Sequence, residues 1–454
     1  MRDKATTEAA LGDALAADTV ALMRELIRNA CVNDGTASAG GEHRSVASLE
    51  RFLHGSGLRW EVVEPHPGRT SLVAELPGTE PRGPSLLLLG HLDVVPAGAG
   101  WTRDPFAAEL VDGVVWGRGT LDMLHLTAAY AAVMRRLALE GARLRGRLVF
   151  AAVADEESGG RYGARWIVEN RPELVAADAV LSETGGVPLT VGGEVRGVTV
   201  TVGEKGLAAR RLEVAGRPGH ASTPWGADNA VVSAAEVIRR IAEHPEPAQL
   251  DDLWPHYVAA LDVPQALRDA LADPARIDAA LPALGRLGGL AHALTHTTYS
   301  PDLVRGGDKL NVVPGRATVD LDIRTLPGTS PAHIDSHLRE AIGELMDRVT
   351  IHPLGDTVPA TRSPLGTPLY EALAHASATA YPRAKAVPVI APGGADSRFF
   401  RQRGIPAYGF SMFSRRWEHA DFRQLVHSVD ERIDVASVAL AAQAIDRVVR
   451  RVLI

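Results

Sequence analysis

His91 and Asp93, two residues apart at the end of the run SLLLLG, are of the types that bind metal or move protons. The run is short, apolar and bounded by Pro84 and Gly90, so it reads as a strand buried on both faces. Side chains alternate across a strand, which brings the histidine and the aspartate out on one side. A carboxylate beside an imidazole can accept its second N–H, fix the tautomer and aim the other nitrogen at a metal. Further along, VWGRGTLDM places Asp122 before a helix, and LVFAAVADEESGG delivers Asp155, Glu156 and Glu157. ADAVLSETGG delivers Glu183, and QLVHSVDERIDV supplies His427. Singly, each has an ordinary structural explanation: a helix cap, an acidic turn, an exposed loop. Three successive strands ending in carboxylates are harder to explain that way, because like charges converging at one sheet edge repel. A bound dication removes the repulsion. Oxygen ligands combined with two imidazoles suit zinc or a related transition metal better than magnesium.

The elements that must hold these residues follow from periodicity. Apolar spacing predicts helices at 17–30, 45–57 and 126–141, and strands at 58–64, 70–76, 85–91, 146–155 and 177–183. Strands alternating with helices make an α/β layered domain with a largely parallel sheet. Near residue 203 the pattern changes. GLAARRLEVAGRPG and GRATVDLDIRTLPG alternate polar and apolar residues, with helices at 229–244 and 331–348. That is a small α+β domain with strands on one face and two helices on the other. Residues 245–305, rich in proline and alanine, read as added helical material, and from about 356 the α/β character returns. The chain is expected to divide into a discontinuous larger domain, 1–203 with 356–454, and an inserted one, 204–355.

Bulk composition narrows the function. With 454 residues, 46% hydrophobic and 23% charged, the chain can bury ordinary cores. A net charge of −7 without any basic cluster argues against nucleic acid as a partner. Cys31 is the only cysteine, so there is neither a disulfide framework nor a CxxC zinc site. The charged N-terminal stretch lacks the apolar core of a secretory signal, and no run approaches the roughly 20 apolar residues that span a bilayer. The expectation is a cytoplasmic protein with no membrane partner.

GHLDVVP, WGRGTLDM, ADEESGG, GHASTP, NVVPG, LDIRTLPG, GGADSRFF and HSVDE, in this order over about 85–435, resemble the motifs of the dinuclear-zinc aminoacylase family. That family includes carboxypeptidase G, succinyl-diaminopimelate desuccinylase, acetylornithine deacetylase and carnosinase-type dipeptidases. The resemblance implies a zinc-peptidase domain with a mixed, largely parallel central sheet flanked by helices. It also implies a ferredoxin-like α+β lid or dimerisation domain inserted in it. Two Zn²⁺ per chain are implied, with Co²⁺ or Mn²⁺ as substitutes. Asp122 would bridge them, His91 and Glu183 would complete one site, and Glu157 with His427 the other. His419 is the rival for that last position. Glu156 would be the general base, and neighbouring side chains of a strand point different ways, so Glu156 and Glu157 divide two jobs. Asp93 and His220 join Glu156 as catalytic residues, Asp93 orienting His91 and His220 stabilising the oxyanion.

Arg324, Asn311 and the backbone of Gly393 and Gly394 would bind the substrate's carboxylate, which a planar guanidinium fork suits. The resemblance further implies a cis peptide at Asp122–Met123 and a homodimer in which His220 serves the partner's site. Leu124 and His125 depart from the family pattern, at positions that carry no ligand. The implied substrate is an N-acyl amino acid or a small peptide with a free carboxylate. Glu183 tilts this toward a deacylase, and a dipeptidase or carboxypeptidase is the alternative. A non-catalytic binding relative would be expected to lose Glu156 or a ligand, and none is missing.

Overall fold

The computed structural model describes residues 13–36 and 39–454, so most of the stretch read against a secretory signal lies outside the described residues. A strand covered on both faces must be apolar throughout, and Leu86–His91 is buried at every position. Leu86 and Leu88 enter the core shared with helices Ala14–Arg28, Leu124–Leu139 and Val435–Leu453. Leu87 and Leu89 enter a second core on the opposite face, with Phe399 and Phe400. Gly90 marks a close approach of strand to helix: a Cβ there would stand 2.6 Å from Thr127 Oγ1. The same hydroxyl donates to the His91 carbonyl at 2.8 Å.

Leu86–His91 is central in a ten-stranded sheet, parallel to Leu148–Val153 on one side and to Ala179–Ser182 on the other. The chain therefore leaves this strand once to each side, and α/β proteins bind ligands outside the carboxyl edge at such a reversal. Ala407–Gly409 continues in parallel beyond Ala179–Ser182, and Lys385–Ala391 runs parallel to Glu194–Glu204. The remaining flanks are antiparallel: Arg59–His66 pairs with Arg69–Leu76, and Pro188–Val191 and Thr361–Arg362 pair with Glu194–Glu204. The sheet is thus mixed, and its parallel part is the part that carries His91, Glu156 and Glu183. Among the described residues, no helix is long and apolar enough to cross a membrane.

Residues 206–353 form a second, five-stranded antiparallel sheet. Leu212 and Val214 on Arg210–Ala215 and Val319, Leu321 and Ile323 on Arg316–Thr325 alternate inward. They pack on Val237 and Ile241 of helix Ala230–Glu243 and on Ile334 and Leu338 of helix Pro331–Ile342. The last α-helix ends at Ile342, where Gly343 takes φ +61°, and a 3₁₀ turn over Gly343–Arg348 carries the helical stretch to the predicted 348.

The helices between the two sheets' sequences pack on the larger sheet. Trp254, Tyr257, Leu271 and Ala291 share a core with Leu189, Val387 and Val389. Asp262 anchors the same contact by accepting the Gly192 N–H at 2.9 Å. The helical reading of 245–305 ends at Thr295, and Thr298–Gly306 is instead the exposed edge strand of the smaller sheet.

Both chain crossings between the sheets meet at Glu204, a buried carboxylate that accepts from the Arg401 guanidinium and the Thr361 hydroxyl. Arg401→Met removes the charge partner and leaves the carboxylate stranded. Urea unfolding is expected to show a loss of about 3–5 kcal/mol. A loss below about 1 kcal/mol, the level of a surface pair, counts against this reading.

Candidate active site

The acids and histidines predicted to bind metal meet at the carboxyl edge of the larger sheet. Asp122 divides its oxygens, with Oδ1 3.1 Å from His91 Nε2 and Oδ2 3.1 Å from His427 Nε2. Glu157 Oε2 lies 3.3 Å from His427 Nε2, and Glu183 Oε2 lies 3.8 Å from His91 Nε2. Ligand atoms of His91, Asp122 and Glu157 fall within 4.8 Å of one another, as do those of His91, Glu156 and Glu183. A carboxylate that faces two imidazoles with separate oxygens has the geometry of a bridge between two half-sites. Glu157 Oε1 is buried without a hydrogen-bond partner, an orphan acceptor that a cation would satisfy. The donor set fits a divalent transition metal.

The turn after Leu148–Val153 aims the two glutamates. Asp155 leaves the strand in the left-handed region, φ +69°, and opens the short helical turn Glu156–Ser158. Asp93 clamps that turn: its Oδ1 accepts the Glu156 N–H at 3.2 Å and its Oδ2 the Glu157 N–H at 3.1 Å. Asn33 Nδ2 donates to the same carboxylate at 2.8 Å. This changes the role expected for Asp93. His91 Nδ1 lies 2.9 Å from the Asp93 backbone carbonyl, whereas the carboxylate is 3.7 Å away and already engaged. Asp93 orients His91 through its main chain and the Glu156–Glu157 turn through its side chain.

Asp122 is held by residues the sequence did not single out. Glu431 Oε1 accepts the backbone N–H of Leu121 at 2.7 Å and of Asp122 at 3.3 Å. Its Oε2 takes a 2.7 Å bond from Arg118, which also donates to the His427 carbonyl at 3.3 Å. One buried ion pair therefore fixes both the Asp122 turn and a histidine on another loop. The Asp122–Met123 peptide is cis, as the resemblance implies.

Electrostatics record the crowding of charge. Burial, with Asp122 adding repulsion, pushes the Glu183 carboxyl up to about 8. Glu156 is raised well above the carboxylate range by burial and then by Glu183, and burial raises Glu157 as well. Burial also opposes charge on Asp122, but hydrogen bonds from His427 and His91 outweigh it and hold that carboxyl well below its usual value. His427 rises to about 10 through its bonds to Asp122 and Glu157. A metal entering here must displace those protons.

The other expected residues lie apart from this centre. His220 and Asn311 are brought together, both exposed, on a two-stranded ribbon where His220 pairs with Val312. Arg324 closes Arg316–Thr325, but its fork already holds Asp322 at 2.7 and 2.9 Å. Beside it lies Lys205, which the sequence reading missed. It is buried, its Nζ donates to the His296 carbonyl at 2.7 Å, and burial with Arg324 lowers it to about 7. Gly393 and Gly394 are exposed in the loop after Lys385–Ala391. His419 turns to Tyr257, 3.4 Å from its hydroxyl, and His125 is buried 3.1 Å from Ser411 Oγ.

This fold and this cluster define a metallo-hydrolase. The chain belongs to peptidase family M20/M25/M40, whose sequence model matches residues 87–451. Aminoacylase-1 of Mus musculus is 28% identical over 421 residues, covering 91% of this chain and 90% of its own. Succinyl-diaminopimelate desuccinylase of Rhodospirillum centenum is 29% identical over 341 residues, 73% of this chain and 74% of its own. Among solved structures, the M20 family metallo-carboxypeptidase Sso-CP2 from Sulfolobus solfataricus superposes with a TM-score of 0.70. It shares 18% identity and covers 96% of this chain and 99% of its own.

Arg118→Met tests the outer support. Loss of the partners that orient metal ligands typically weakens metal binding about 10–100-fold. Calorimetric titration of chelator-stripped protein is expected to show a fall of that size with folding retained. Unchanged affinity would mean that the Asp122 turn holds itself.

Proposed function

We propose that this hydrolase cleaves the amide bond of an N-acyl amino acid, or of a small peptide with a free carboxylate, at a pair of zinc ions. The observation that carries the reading is the Asp122 carboxylate, each oxygen 3.1 Å from a different imidazole. His91 and Glu183 would hold one ion, Glu157 and His427 the other, with Asp122 shared between them. Bound zinc acidifies water and polarises a carbonyl. Glu156, within ligand reach of His91 and Glu183 but not needed as a ligand, takes the proton of the attacking water and delivers it to the leaving amine. The preference for deacylation over dipeptide cleavage rests on Glu183 and on the similarity to aminoacylase-1.

His220 suits the oxyanion role by its tautomer. The Ser222 backbone N–H donates to His220 Nδ1 at 3.2 Å, which leaves Nε2–H as a donor facing solvent. Arg324 and Lys205, with the Gly393–Gly394 backbone, make the cationic end that would read the carboxylate, and Asn311 stands beside His220. In this reading residues 204–355 act as a lid and dimerisation domain. The ribbon's neighbours Trp225 and Leu310 are 98% and 100% exposed, and Leu303 and Val304 project from the exposed edge strand. Such a surface supports a homodimer in which the ribbon of one subunit completes the centre of the other. A cytoplasmic setting remains part of this proposal.

Glu156→Gln is expected to keep its metal and lose at least the roughly 10²–10⁴-fold that general-base catalysis contributes. Glu157→Gln is expected to weaken metal binding first. Steady-state hydrolysis of N-acyl amino acids with parallel metal analysis separates the two, and near-normal turnover by Glu156→Gln would remove the assignment.

Subunit sharing has its own test. His220→Ala and Glu156→Gln chains, each inactive, are co-refolded, and mixed dimers are expected to recover part of the activity because some hold one intact centre. No recovery together with a monomeric mass by light scattering would place His220 in its own subunit's site.

A further inference from the structure

Glu246 is a carboxylate only 3% exposed in the smaller sheet's helical layer, and among the described residues its ion-pair partners are two histidines alone. Its Oε1 accepts from the Tyr299 hydroxyl at 2.8 Å, with His333 Nε2 at 2.9 Å and His337 Nδ1 at 3.6 Å. Buried carboxylates are normally neutralised by a cation or a metal. His333 and His337 lie one turn apart on helix Pro331–Ile342 and so share a face.

The tautomer of His337 makes the cluster specific. Its Nε2 donates to the His244 carbonyl at 2.9 Å, so in the neutral ring Nδ1 is the lone-pair nitrogen, and it faces the Glu246 oxygen at 3.6 Å. Lone pair against carboxylate is repulsive unless a cation lies between them. A hydrogen bond from the far ring nitrogen to a carbonyl is also the arrangement that orients histidine ligands.

We propose that Glu246, His333 and His337 form a separate metal site in the smaller domain, for zinc or a similar divalent transition ion. The His333 side chain, 51% exposed, has room to turn toward His337 as the ion enters, and water fills the remaining position. The ion would tie Glu246, before the added helices, and Tyr299, after them, to helix Pro331–Ile342. Its role is structural, and none of its ligands belongs to the catalytic set.

Chelator-stripped wild type, His337→Ala and Glu246→Gln, dialysed against equal free zinc, are compared by elemental analysis. The wild type is expected to hold one more ion per chain than either variant. Because the result is a difference, it is read independently of how many ions the catalytic centre takes. Cobalt loading gives a second readout: wild type minus His337→Ala shows the visible absorption of a tetrahedral site. Hydrolytic activity retained by His337→Ala certifies its fold. If that chain fails to fold, His333→Gln at the half-exposed position carries the same comparison. Equal metal content in wild type and variants, with or without a change in stability, overturns the proposal and leaves a proton-linked cluster.

Discussion

The structure depends on one electrostatic constraint, the gathering of Asp122, Glu156, Glu157 and Glu183 in a space where His91 and His427 are the imidazoles that oppose them. At an effective dielectric near 20, two like charges 4 Å apart repel by about 4 kcal/mol, and several such pairs meet here. Without metal the chain answers with protons: Glu183 is pushed up to about 8, and both histidines are held above the imidazole range. A dication replaces those protons with fixed positive charge. The arrangement is therefore costly empty and stable filled, which is how a protein selects for occupancy.

Keeping repelling groups in place requires stiff backing, and arginine supplies it twice. Arg118 and Glu431 brace Asp122 and the His427 loop. On the other side Arg69, 2% exposed, joins Glu42 at 2.8 Å and the Asn33 oxygen at 3.0 Å, and Asn33 passes the contact to Asp93. Burial lifts Glu42 to about 7 even beside this cation. A planar guanidinium can satisfy several acceptors at fixed angles, which an ammonium cannot. Both networks are nearly dry, so a break in either would leave an uncompensated buried charge rather than a hydrated one.

What could be read from the sequence follows physical range. The leucine run, the strand-end acids and the two histidines announce themselves within a few residues of each other, and the ordered motifs join them. Arg118 and Glu431 stand 313 positions apart, and neither periodicity nor local spacing links them. Asp93 stands beside His91 in sequence and meets it through its carbonyl, while backbone donors more than sixty residues away, which no local spacing announces, hold its carboxylate. The antiparallel hairpin Arg59–Leu76 dilutes the parallel sheet that alternating strands and helices suggested. Amphipathic helices in 245–305 declared that they have an apolar face, not which sheet would cover it.

That last choice shapes the whole molecule. The added helices spend their apolar faces on Leu189, Val387 and Val389, at the margin of the larger sheet. They leave Thr298–Gly306 as a long edge with five consecutive exposed residues, Asp302 to Gly306, and such an edge is a template for pairing with another chain. Had the helices covered that edge, the smaller sheet would be finished. The acid–histidine cluster and Arg324 belong to different sheets, joined at Glu204, Thr361 and Arg401.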